Sequence, residues 1–333
     1  MTAMLQENQL AHLQPALSWK HETPMRIMHL TDSALGLSLV EATAPRPKPG
    51  PDELLIRVHA AGVTTAELQW YPTLHDRSGG KRDGAVPSHE FSGVVVGVGR
   101  DVSALEIGQE VFGMNDWFDD GAMADYCVAP FSSVAPKPSC LTHVEAASVP
   151  IGALTAWQGL VDRAQLRAGE TVLIHGGAGA VGVFAIQLAR LHGAHVIATA
   201  SARNIDFVRN LGADQVIDYH SIPFENSLHD IDVVFDTVGG DTLQRSWGVL
   251  HRGGRLVTIA STEEGVDDER VKRAFFIVEP SQMQLSVVAD LLAARRLRPV
   301  LDAVVPLCHA GKAYTGQLER RSRGKLVVEV AAA

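Results

Sequence analysis

The sequence predicts an α/β chain of two modules, a partly open β-barrel and a doubly wound parallel sheet, and three observations carry that prediction. From Met25 to about residue 130 the apolar residues fall in short alternating runs divided by turn residues, as in small barrels. Near Leu141 the pattern changes: short continuous apolar runs alternate with segments of helical period, as strands covered by helices on both faces require. The final run, Lys325 to Val330 (KLVVEV), alternates again, so the end of the chain returns to the first module. A length of 333 residues exceeds one typical core. The expected division is an extension over 1–22, the barrel module over 23–150 completed by 280–333, and the sheet module over 151–279.

The N-terminal stretch MTAMLQENQLAHLQPALSWKHETP has no basic segment leading an apolar core, so it does not read as a secretory signal. MRIMHL and LGLSLVEA read as a hairpin turned at Thr31 to Ala34. Pro45 to Pro51 (PRPKPGP) lacks too many backbone donors for helix or central strand and is a stiff connector. Glu53 to Ala61, Phe91 to Gly99, Glu110 to Met114 and Ala122 to Ala129 supply further strands. Thr142 with Glu145 three residues on forms a capping box for a helix to Val149, and a second helix runs from Ile151 to Arg163. The sheet module is expected to hold six strands, over 171–175, 195–200, 215–219, 231–238, 255–261 and 274–278. The last, AFFIV, is its edge; Asp241 caps the helix running to Leu250.

An apolar content of 46% and a charged content of 20% belong to an ordinary globular protein. The formal net charge of −9 argues against nucleic acid or an anionic membrane surface as the main partner. No apolar run approaches the ~20 residues of a membrane span. Cys127, Cys140 and Cys308 are odd in number and far apart, which suits a reducing, cytoplasmic setting and offers neither a disulfide framework nor a metal clip.

The most informative stretch is Thr171 to Gly182, TVLIHGGAGAVG. A β-branched apolar run leads into Gly176, Gly177, Gly179 and Gly182, and Val183, Phe184, Ile186, Leu188 and Leu191 follow at helical spacing. Gly177, Gly179 and Gly182 match G-x-G-x-x-G between a strand and a helix, the context in which that pattern signals a dinucleotide site. The glycines permit the tight turn, the approach of backbone N–H groups to a pyrophosphate, and close packing of helix on strand. The helix N-terminus adds free donors and partial positive charge. The strand after this helix ends in Thr199-Ala200-Ser201-Ala202-Arg203-Asn204, without the carboxylate that would hold a ribose 2′-hydroxyl. Ser201 and Arg203 can instead bind a 2′-phosphate, which favours NADP(H), and Tyr219 can pack on the adenosine or fill a strand position.

With these residues laid out, the chain resembles the medium-chain dehydrogenase/reductase superfamily, and most its zinc-free, quinone-oxidoreductase-like NADP-dependent branch. The resemblance runs from about Met25 to Val330 and rests on Ala60 to Thr64 (AAGVT), His89 to Val94 (HEFSGV), Gly176 to Gly182, Leu211 to Asp214 (LGAD), Val234 to Gly240 (VFDTVGG) and Arg323-Gly324-Lys325. It implies a GroES-like β-barrel catalytic domain with an inserted Rossmann domain, a substrate cleft between them, hydride transfer from nicotinamide, and a homodimer paired through the Rossmann sheet edge at Ala274 to Val278. Carried over, Gly177, Ala178, Gly179, Ala180, Val181 and Gly182 bind the pyrophosphate, and Ser201 and Arg203 lie by the adenosine 2′ position. Thr155 sits by the nicotinamide ribose. Val238 and Gly239 flank the nicotinamide, with Ala260 and Ser261 ending the next strand. Phe276 and Lys325 match positions that touch cofactor or substrate, or else pack.

Zinc-dependent members use a cysteine in the loop after the first long strand, a His-Glu pair and a third ligand. Here His89-Glu90 is present, but the first neighbourhood reads Ala60 to Glu67 (AAGVTTAE) and the third position falls near Ile151, so no metal is expected. Without a Lewis acid, a conjugated acceptor is the easier hydride acceptor, because its charge delocalises onto a remote oxygen. The expected activity is NADPH-dependent reduction of an activated C=C bond, an enone or enal, or of a quinone. Thr64 and Tyr71 are the candidate proton or hydrogen-bond donors, although Tyr71 could simply pack at the barrel mouth. The alternatives are an alcohol dehydrogenase recruiting zinc through His89 and Glu90, and an NADPH-binding protein without turnover.

Overall fold

The computed structural model describes residues 24–33, 36–260 and 268–331; Ser261 and the extension over 1–22 lie outside the described residues. β1 (Pro24–Ser33) and β2 (Gly36–Pro45) pair as the expected antiparallel hairpin. β3 (Glu53–Val63), β4 (Glu90–Val98), β5 (Glu110–Met114), β6 (Tyr126–Pro130) and β7 (Val134–Pro136) form the barrel wall, with β3 at its centre. Two register shifts in the β3–β4 pair, at Leu55/Ile56 and Val58/Ala60, bend the long strands so that one sheet can curl on itself. Leu54, Ile56, Val58, Phe91, Val111 and Met123 point into the barrel and are fully buried there.

The second sheet holds β8 (Thr171–Ile174), β9 (His195–Ala200), β10 (Gln215–Asp218), β11 (Ile231–Asp236) and β12 (Leu250–Thr258), all parallel, in the order β10-β9-β8-β11-β12. The order reverses at β8, so the carboxyl end of β8 is the switch point where ligands bind in such sheets. Val172, Leu173, Ile174, Val233, Val234 and Phe235 are all fully buried, the two-sided burial that their continuous apolar runs demand. β13 (Leu301–Pro306) and β14 (Lys325–Glu329) then return to the barrel sheet, β14 lying antiparallel on β3.

Three local expectations are corrected. Residues 274–278 do not form a sixth strand: Ala274 ends the helix Glu269–Ala274, and Phe275 makes a single parallel bridge with Thr258. The sheet has five strands among the described residues, with β12 at its edge. Asp241 does not cap its helix; Gly239, at φ +75°, precedes the helix Gly240–Ser246, and Asp241 lies in the first turn. The helix after Pro150 is regular only over Pro150–Trp157 and widens to a π turn over Gln158–Arg163. The Thr142–Glu145 capping box is formed as expected, on the helix His143–Ala147.

Candidate active site

The glycine turn stands at the carboxyl end of β8 and leads into the helix Gly182–Leu191. Gly176 adopts φ +74°, and a Cβ there would meet Thr237 Oγ1 at 2.4 Å. A Cβ on Gly182 would lie 2.2 Å from the Gly176 carbonyl oxygen, so the helix can approach the turn only without a side chain. Gly179 is different: its Cβ would meet only the Gly176 oxygen, at 3.3 Å, and the residue is exposed. The face of the turn at Gly179 is therefore open.

His175, which leads into this turn, is buried; its ring meets Thr199 Oγ1 at 3.2 Å and Ser246 Oγ at 3.0 Å. The ring packs edge-on against Phe224. His143, on the barrel side, stacks on His59 with centroids 4.3 Å apart. Burial pushes both His175 and His143 down to about 4, His59 adding to the effect on His143. An unfolded imidazole titrates near 6.5. Between about pH 6.5 and 4 the unfolded chain therefore takes up protons that the folded chain refuses. The unfolding free energy is expected to fall as pH drops through that window, with no contribution from these two groups above it. Urea midpoints at about pH 7.5 and about pH 5 read this, and an unchanged midpoint would contradict it.

The neighbouring strand ends converge on the turn. Asp236 accepts from the backbone N–H groups of Val238 (3.0 Å) and Gly239 (3.1 Å) and from Thr258 Oγ1 (2.8 Å), fixing the chain after β11. A Cβ on Gly239 would stand 2.2 Å from the Ala260 oxygen, so Val238, Gly239 and Ala260 adjoin one another. Ser201 and the exposed Arg203 follow β9, and Tyr219 follows β10, its N–H donating to the Ala200 carbonyl at 3.3 Å. Asp218 is committed to its own turn, accepting from His220 N (3.2 Å) and Ser221 Oγ (2.7 Å), which holds its carboxyl below the usual range. Thr155 is buried and donates to the Ile151 carbonyl at 2.6 Å. Phe276 lies in the core against Arg163 and Gly159.

The barrel contributes a charged cluster to the same region. Because β14 and β4 flank β3, opposite Val63 and Gly62 respectively, Lys325, Glu90 and Thr64 meet at one end of the sheet. Gly62 leaves the space that the Glu90 side chain fills. The Lys325 ammonium contacts the Glu90 carboxylate and donates to Thr64 Oγ1 at 3.0 Å; Glu90 also accepts from Ile151 N at 2.8 Å. Lys325 is 4% and Glu90 0% exposed, whereas Thr64 is half-buried. Burial pushes the Glu90 carboxyl above its usual range, against the pull of Lys325. His89 binds Glu67 (2.8 Å) and meets the Asp119 carbonyl (3.2 Å), and Tyr314 donates to Glu67 at 2.5 Å. Tyr71 stands apart, half exposed and stacked on His75.

A short segment links these parts. Gly324 N donates to the Ala178 carbonyl at 2.8 Å, against the glycine turn. Arg323 donates to Asn204 Oδ1 (2.7 Å) and to the Arg203 carbonyl (2.9 Å), and Lys325 reaches Thr64. Sequence reasoning missed the roles of His175, Glu67, Tyr314 and Arg323, although His175, Glu67 and Arg323 lay in stretches it had singled out.

Residues 50–139 match the family model described as the alcohol dehydrogenase GroES-like domain, and residues 211–328 match the one described as zinc-binding dehydrogenase. The chain is 33% identical over 314 residues to a probable zinc-binding oxidoreductase, mitochondrial, of Arthroderma benhamiae, covering 88% of this chain and 93% of that one. It is 30% identical over 326 residues to the NAD(P)H oxidoreductase RTN4IP1, mitochondrial, of Danio rerio, covering 84% of each. The solved quinone oxidoreductase of Coxiella burnetii superposes with a TM-score of 0.82 at 30% identity, covering 93% of this chain and all (100%) of that one.

Proposed function

Since the chain belongs to the medium-chain dehydrogenase/reductase superfamily and is quinone-oxidoreductase-like, we propose that it transfers hydride from NADPH to a quinone or to the activated C=C bond of an enone or enal, without a metal. The observation that carries this reading is the Lys325–Thr64–Glu90 cluster. Lys325 donates to Thr64 Oγ1, which leaves the Thr64 hydroxyl hydrogen to donate to a substrate oxygen. A hydride acceptor conjugated to an oxygen develops negative charge on that oxygen, and a donor backed by a buried ammonium is suited to it. Bound NADPH supplies the hydride. Gly177, Ala178, Gly179, Ala180, Val181 and Gly182 hold its pyrophosphate, and Thr155, Val238, Gly239 and Ala260 lie toward the nicotinamide. Ser261 and Phe276 are carried over from the resemblance alone, Ser261 being outside the described residues and Phe276 lying in the core.

The residues present do not fit a catalytic zinc ion. Glu90 is engaged by Lys325 and Ile151 N, His89 by Glu67, and the neighbouring Thr64 by Lys325. Among the described residues no three His, Cys, Asp or Glu side chains are grouped to hold a metal. This favours the metal-free reading over a zinc-assisted alcohol dehydrogenase. The reading keeps the division into a module of 23–150 with 280–333 and one of 151–279, a cytoplasmic setting, and pairing of two copies; sedimentation at micromolar concentration tests the pairing.

The deciding experiment is NADPH oxidation against a panel of enones, enals and quinones, with metal analysis of the same preparation. Turnover without stoichiometric metal supports the proposal; cofactor binding with no turnover on the whole panel assigns the chain to a binding role. For the coenzyme, Arg203→Ala is expected to weaken NADPH binding about tenfold while NADH binding changes little. Equal losses for both would remove Arg203 from the 2′-phosphate.

A further inference from the structure

The His175 ring lies in a run of hydrogen bonds whose direction can be settled at every step. Ser246 Oγ donates to the Thr242 carbonyl at 2.7 Å, so its one hydrogen is spent and it can only accept from the ring. The ring Nε2, 3.0 Å away, therefore carries a hydrogen. Burial keeps the imidazole neutral, which leaves a lone pair at Nδ1. The Thr199 hydroxyl donates to that lone pair at 3.2 Å. Thr199 Oγ1 accepts in turn from Gly176 N at 3.3 Å. The run thus leads from the glycine turn, through the ring, to the helix Gly240–Ser246.

Its two ends are two parts of the proposed cofactor site. On one side Thr199 takes both leading amides of the turn, Gly176 N at its hydroxyl and Gly177 N at its carbonyl (2.9 Å), which ties the turn to β9. On the other side His175 holds the chain after β11 at three points. Its N–H donates to the Phe235 carbonyl at 3.0 Å, its carbonyl accepts from Thr237 Oγ1 at 2.8 Å, and its ring reaches Ser246. Val238 and Gly239 lie between the last two of these points.

His175, Thr199 and Ser246 are all buried. A bond shielded in this way cannot be exchanged for one to water without moving the backbone, so a shift of either segment is felt by the other. An apolar side chain could fill the same space with no polar group to satisfy. The imidazole adds a donor and an acceptor on opposite sides of one rigid ring, which is what a link between two segments requires.

We propose that His175 is a positioning residue: it fixes the pyrophosphate-binding turn and the segment beside the nicotinamide relative to each other, so that hydride transfer depends on a ring that touches neither cofactor nor substrate. The proposal rests on the reading of this cleft as the NADPH site.

Variants of the full chain test it, each checked for folding by a urea melt. T199V keeps the size of the side chain but leaves Gly176 N and His175 Nδ1 without their partner, and NADPH affinity is expected to fall about tenfold. T199S keeps the hydroxyl and should restore most of that affinity. S246A leaves the turn's own bonds in place and cuts only the far link. Its NADPH affinity should stay within about threefold of the parent, while kcat on the fastest acceptor of the enone, enal and quinone panel falls about tenfold or more. A T199V protein that binds NADPH like the parent would overturn the proposal, and so would a folded S246A protein with the parent's kcat. Hydrogen exchange, read by mass spectrometry without added NADPH, tests the link apart from any turnover. T199V should speed exchange over 237–246 as well as over 172–182, and S246A should do the same in reverse. Faster exchange confined to the altered side would overturn the link. A wild type that binds no NADPH would sink the reading of the cleft instead, and the exchange pattern would still decide whether His175 joins the two segments.

Discussion

Replacing Lys325 by Met is expected to destabilise the protein by about 3–5 kcal/mol, the cost of stranding a buried carboxylate. Glu90 has no water to turn to, being 0% exposed, and Ile151 N is the one other donor to its carboxylate among the described residues. Surface ion pairs such as Arg209–Asp206 carry no such penalty, since each member is solvated when the other is removed. The diagnostic comparison is the double variant K325M/E90Q. It removes the charge along with its partner, so it should regain much of the loss, and a double-mutant cycle in urea measures the coupling. Strict additivity of the two single changes would show that the pair is not interacting. Activity adds a second readout: E90Q keeps the Lys325–Thr64 bond, while K325M removes it. If that bond acts on the developing oxyanion, kcat should fall further in K325M than in E90Q.

This cluster also shows what a sequence can and cannot display. Parallel strands were legible because burial on both faces imposes an unbroken apolar run, as at His195–Ala200, found with its observed limits. The same reasoning failed at 274–278. AFFIV has a strand's composition, and its residues alternate between buried and more exposed from Ala274 to Val278, but only Phe275 bridges to β12. Composition reports that a segment packs, not that its backbone finds a ladder.

The glycine turn was legible because its requirements are local to seven residues, 176–182. The Lys325–Thr64–Glu90 cluster was not, because its members are 26 and 235 positions apart and meet only through the register of β14 and β4 on β3. Lys325 and Thr64 could each be assigned to the site region by motif, but their bond could not. Glu67 and Tyr314, 247 positions apart, are a further case: nothing near either residue announces the other.

The glycine turn offers the other large effect, and its two outer positions separate stability from binding. Gly182→Ala places a methyl 2.2 Å from the Gly176 oxygen and 2.8 Å from Gly177 Cα, both backbone atoms that no rotamer change can clear. The helix Gly182–Leu191 must then move off β8. The expected result is a loss of about 1–3 kcal/mol of stability together with loss of measurable NADPH binding. Gly179→Ala adds the same methyl where only one atom lies within 4 Å, at 3.3 Å, on an exposed residue. Its stability should stay within about 0.5 kcal/mol of the parent. If pyrophosphate lies against that open face, the methyl occupies the space the phosphates need, and NADPH affinity should fall about a hundredfold or more with the fold intact. Fluorescence titration of NADPH alongside a urea melt gives both numbers for each variant. A Gly179→Ala protein that binds NADPH like the parent would mean the cofactor does not lie on this turn, and the reading of the whole cleft would go with it.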